Sequence, residues 1–62
     1  MAEKITLELT TGNAAFEDEP ASEIARILRK AAERIEAGDV DGFPLHDING
    51  NRCGFLHIEG EI

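Results

Sequence analysis

The chain has 62 residues, 42% of them hydrophobic and 31% charged, with 13 acids against 6 bases and a formal charge of -7. A chain of this length makes one small domain, residues 1–62, burying only about 60% of its unfolded surface, with no core deep enough to enclose an active site. The acidity repels phosphate backbones and anionic lipid, so direct binding to nucleic acid or membrane is not expected.

Ile5, Leu7 and Leu9 alternate with Lys4, Thr6, Glu8 and Thr10. That period of two predicts a first strand over 3–10, one face buried and the other wet. Thr11, Gly12 and Asn13 break the pattern, and Phe16 precedes the acidic run Glu17, Asp18 and Glu19 that leads into Pro20. Proline suits a first helical turn, where its missing N–H would be unpaired anyway, and carboxylates there favour the positive end of the helix dipole. Phe16 can fold back onto this turn.

From Pro20 to about Ala37, Ile24, Leu28, Ala31 and Ile35 recur at spacings of four, three and four. This is the apolar stripe of an amphipathic helix, and it puts Leu28, like Leu7 of the first strand, in the expected core. Arg26, Arg29, Lys30, Glu33 and Glu36 take the opposite side, with Glu23 and Arg26, and Arg29 and Glu33, spaced for ion pairs. Gly38 follows as the left-handed C-cap.

Phe43–Ile48 and Arg52–Ile58 are apolar-rich segments joined through Asn49 and Gly50, a hairpin signal. A two-residue turn pairs Asp47 with Arg52, His46 with Cys53, Leu45 with Gly54 and Pro44 with Phe55. Phe43, Leu45, Leu56 and Ile58 then share the face that meets the helix. Gly54 can mark a bulge and Asn51 a three-residue loop, either of which slips the register by one. The predicted fold is α+β with the order β-α-β-β, a three-stranded antiparallel sheet covered on one face by one helix, with the third strand in the middle.

The remaining polar residues point to little chemistry. His46, Asp47, Cys53 and His57 are metal-competent types, yet Cys53 and His57 lie about 13 Å apart along one strand, and no CxxC or HxxxH spacing joins them. Asp47, Asn49 and Asn51 alternate like a calcium loop, but Arg52 and Ile58 occupy the positions that require Gly and Glu, and ordinary turn chemistry explains them. Phosphate-binding glycine loops, serine elbows and paired acid/base carboxylates are not apparent. The reading is therefore a non-enzyme without cofactor or metal.

The lone Cys53 fits a reducing compartment, and no signal peptide or apolar span is evident, so a cytoplasmic location is expected. Charge is unevenly placed. Residues 20–38 hold four bases and three acids, leaving two bases and ten acids elsewhere. An acidic surface of this kind can occupy a nucleic-acid groove on a partner by imitating phosphates, or can simply maintain solubility.

The stretches TGNAAFEDEP, EIARILRKAAERI and DINGNRCGF together resemble small acidic proteins encoded by tailed bacteriophages and prophages. The resemblance covers most of the chain but rests on structural motifs, so it carries no activity and no site residue. It implies a bacterial host cytoplasm and, by association, modulation of a host or phage protein. Cys53 stands where an aliphatic residue is expected, which argues against a shared thiol function.

The sheet face turned from the helix is expected to carry Thr6, Glu8, Thr10, His46, Cys53, Phe55 and His57. Of these, Phe55, His46, Cys53, His57 and Glu8 are the candidate partner-binding residues, with Phe55 the anomaly: an aromatic facing water, unless a register slip turns it into the core. The functional reading is a small acidic interaction module that binds a protein partner or itself as a homodimer. The alternative is an acidic inhibitor occupying a groove of a host defence or DNA-processing complex.

Overall fold

A computed structural model describes residues 2–60. Strand β1 (Ala2–Leu9), a 3-10 turn (Ala14–Phe16), helix α1 (Pro20–Glu36), β2 (Phe43–His46) and β3 (Arg52–Gly60) follow one another along the chain. The sheet order is β1-β3-β2, with β3 antiparallel to both neighbours. This is the predicted α+β architecture.

Helix α1 begins with Pro20 at its first position and ends in a Schellman motif, in which the Gly38 N–H bonds the Ile35 carbonyl and the Asp39 N–H bonds the Arg34 carbonyl. Gly38 has φ +102°, the left-handed conformation this cap requires. The helix therefore stops where the sequence pattern stops.

The core consists of Phe16, Ile27, Ala31, Phe43, Leu45, Cys53 and Leu56, with Leu7, Leu9, Ile24, Ile35 and Ile58 packed partly against it. Two expectations change here. The buried line of α1 is Glu23, Ile27 and Ala31, whereas Leu28 is 44% exposed. The helix is rotated because Glu23 and Arg26 are drawn toward the hairpin loop, which brings Ile27 to the centre of the contact. Leu7 is half-buried, at the margin of the core.

The hairpin register holds at its far end, where Pro44 pairs with Phe55 and Leu45 with Gly54, but His46 pairs with Arg52 in place of Cys53. Cys53 is the extra residue of a bulge and turns into the core, 3% exposed, instead of onto the outer face. The turn is three residues, Ile48, Asn49 and Gly50. Gly50 donates its N–H to the Asp47 carbonyl, Asp47 donates its own to Asn51, and Gly50 alone of the three has positive φ. That is a type I turn followed by a left-handed glycine, replacing the expected two-residue turn, which would need Asn49 at positive φ as well.

Among the described residues no helix is long and apolar enough to cross a membrane.

Candidate functional site

The face of the sheet opposite α1 is built by alternation. Thr6 is paired with His57 and Glu8 with Phe55, so the four side chains form a two-by-two array across β1 and β3. They line a shallow depression of about 300 Å³. The Phe55 and His57 ring centroids lie 6.3 Å apart in a tilted arrangement, and the Arg52 guanidinium stands 5.5 Å from the Phe55 ring centroid. Phe55 is half-buried and lies outside the core cluster, so the open-face alternative for this residue is the one realised.

The candidate partner-binding residues thus separate into three positions. Phe55, His57 and Glu8 come together with Thr6 in the depression. His46 is exposed at the end of β2 beside Arg52 and does not line it. Cys53 lies on the other side of the sheet. Its thiol donates toward the Leu45 carbonyl at 3.6 Å, and burial raises its pKa, so the nucleophilic thiolate is disfavoured.

A second polar cluster joins α1 to the hairpin loop. The Glu23 carboxylate accepts from Arg26 Nε at 2.7 Å, Arg26 Nη2 at 3.0 Å and the Ile48 N–H at 2.7 Å, while Arg26 Nη2 also reaches the His46 carbonyl at 3.3 Å. Asp47 Oδ1 accepts from the N–H groups of Asn49 and Asn51, each at 2.9 Å, and Oδ2 from Asn13 Nδ2 at 2.8 Å. Asn13 in turn caps the 3-10 turn through Ala15. Sequence spacing marks the Glu23–Arg26 pair and the turn role of Asp47. It contains no signal that both carboxylates are buried, at 7% and 4% exposure.

The two carboxylates titrate low for different reasons. The hydrogen-bonded Arg26 guanidinium outweighs burial at Glu23, and at Asp47 the upward pull of burial is overcome by the Asn51 and Asn49 N–H groups and Asn13. A folded-state pKa below the unfolded one gives stability that is complete above about pH 4.5 and lost as pH falls through the lowered value. Glu23→Gln should therefore melt below the wild type at pH 7, with the gap narrowing as pH falls from about 4.5 toward 3. Because the comparison is between two chains, it removes the general relief of self-repulsion that acid brings to a chain of charge -7. Thermal melts at pH 7 and pH 3 check this, and a gap independent of pH would mean that the Glu23 charge contributes nothing.

Among the described residues no three His, Cys, Asp or Glu side chains cluster to hold a metal ion. What the open face offers chemically is shape, an aromatic surface and one carboxylate. Compared with protein-family models, curated proteins and solved structures, the chain has no match.

Proposed function

We propose that the protein is a non-enzymatic interaction module that binds another protein through the open face of its sheet. The observation that carries this reading is the position of Phe55, one of three phenylalanines in the chain, on the solvent side of the sheet beside Thr6, Glu8 and His57. An aromatic in a depression with a polar rim has the composition of a binding hot spot. Glu8 within it, on a chain of charge -7, fits a partner that presents an apolar side chain flanked by basic ones. Among the described residues, the buried ionisable side chains Glu23, Asp47 and Cys53 are engaged in structural bonds or packed in the core, which supports the non-enzymatic reading. The likeness to small acidic phage and prophage proteins supports an accessory role on a host or phage protein in the bacterial cytoplasm.

Phe55→Glu should weaken capture of the partner from bacterial lysate by more than about tenfold while leaving circular dichroism and melting temperature close to wild type. Raising salt from about 0.1 to 1 M separates the two modes of docking, because apolar contact survives it and phosphate imitation does not. Capture unaffected by Phe55→Glu would remove the open face from the interface. Capture abolished by salt alone would favour the groove-inhibitor reading.

A further inference from the structure

We propose that the chain forms a two-fold symmetric homodimer by pairing β1 with the β1 of a second copy, antiparallel about Thr6, so that two three-stranded sheets become one of six strands. This rests on the backbone edge of β1 and the charges at Lys4 and Glu8, not on the Phe55 ring, although Glu8 borders both surfaces.

The two edges of the sheet differ. On the β2 side the edge is four residues long and contains Pro44, which has no N–H to donate, and both features blunt pairing. On the β1 side it is eight residues long and free of proline, with an irregularity between Ala2 and Lys4 and a regular, alternating ladder from Lys4 to Leu9. Thr10 donates its N–H to the Cys53 carbonyl at 2.7 Å, so Thr10 faces β3. By the alternation of an antiparallel ladder, Ile5, Leu7 and Leu9 then turn their N–H and C=O groups to the open edge. Those groups form a template for another strand.

The sequence of β1 is complementary to itself in one register. With Thr6 opposite Thr6 of the partner subunit, Lys4 faces the partner's Glu8 and Glu8 faces the partner's Lys4, while Ile5 and Leu7 face each other on the inner side. The hydrogen-bonded pairs in this register are Ile5 with the partner's Leu7, the residues whose backbone groups turn to the open edge. Lys4 and Glu8 fall at the closer, non-hydrogen-bonded positions, where side chains interact most. A shift of two residues sets Lys4 opposite Thr6 or Thr10 of the partner subunit and loses both ion pairs. Charge complementarity thus selects a second copy as the occupant and fixes its register.

The apolar surface next to this edge agrees. Glu23, Arg26 and Arg34 engage the β2 side, through Ile48, His46 and the Phe43 ring 4.1 Å from the Arg34 guanidinium. At about 100° per residue, Ile24, Leu28 and Ile35 then occupy the opposite flank of α1, toward β1. Leu28 is 44% exposed there and Ile5, on β1 itself, 53%. Pairing through β1 extends the inner layer across this margin and continues an isologous contact on both sides of the axis.

Sedimentation equilibrium of the full chain should give about twice the 6.8 kDa monomer mass. Lys4→Glu or Glu8→Lys alone sets like charges opposite each other twice per dimer and should weaken association by about tenfold, and the two combined should restore it. Ile5→Lys, at an exposed position, should give a folded monomer with unchanged circular dichroism. Phe55→Glu should leave the mass unchanged, which separates this proposal from the one above. A wild-type monomer at about 1 mM overturns the dimer, and would be the result if the β1 edge serves another protein instead. Single swaps without effect, or a double variant that fails to recover, overturn the Thr6-centred register and with it the proposal.

Discussion

Gly54→Ala should unfold the protein or lower its melting temperature by more than about 12 °C, the equivalent of roughly 3 kcal/mol in a domain of this size. Gly54 lies in the central strand, paired on one side with Leu9 and on the other with Leu45. A β-carbon there would overlap the Glu8 carbonyl oxygen and come within 3.1 Å of the Leu9 α-carbon. These obstacles are backbone, so no side-chain rotation relieves them, and β3 cannot retreat from β1 without pressing on β2. Without a side chain at Gly54 the two backbones can approach this closely in the middle of the sheet. Thermal denaturation of the variant decides the point. A melting temperature within about 3 °C of wild type would mean that the two backbones are not held at this separation.

Ile27→Ala should cost about 2 to 5 kcal/mol, against about 1 kcal/mol or less for Leu28→Ala measured in dilute solution. Ile27 is 2% exposed at the centre of the helix–sheet contact, with Phe16 and Ala31 in the same cluster. Removing three carbons from that position leaves a cavity that α1 cannot readily close, because Glu23 and Arg26 fix it to the hairpin loop. The total stability of a domain this small is only a few kcal/mol, so the Ile27 variant should be largely unfolded. Equal effects at Ile27 and Leu28 would contradict the rotation of the helix.

That rotation marks where the sequence stops being legible. The limits of α1 are plain in it, since Pro20 and Gly38 carry their own backbone preferences, and the strand order follows from the length of each connection. The helix face does not, because Ile24, Leu28, Ala31 and Ile35 make a better apolar stripe than the line actually buried. Glu23 lies on that line. Only the arrival of Arg26 and the Ile48 N–H, 25 residues away, makes its burial affordable. The hairpin behaves similarly. Asn49 and Gly50 announce a turn, but its length is set by the Asp47 side chain, which gathers the Asn49 and Asn51 N–H groups. The extra residue then appears at Cys53, which enters the core and leaves the outer face to Thr6, Glu8, Phe55 and His57. Alternation within β1 and β3 identified most of that face, while the bulge removed its cysteine.

The open face and the β1 edge are compatible in one assembly. In a dimer joined at β1, the two Phe55 depressions lie on the same side of a continuous sheet, related by the axis at Thr6. Two copies of a partner, or one symmetric partner, would then meet a surface twice the size of the single depression, with the avidity that simultaneous contact brings.

Docking of a partner on the open sheet face, as proposed, would be read residue by residue from amide and aromatic NMR shifts recorded while the captured partner is added to labelled protein. The largest changes should fall on Thr6, Glu8, Phe55 and His57, with the exposed side of α1 around Arg29 and Glu33 unmoved. Changes centred on α1, with the Phe55 ring unaffected, would place the contact on the helix and remove the open face from function.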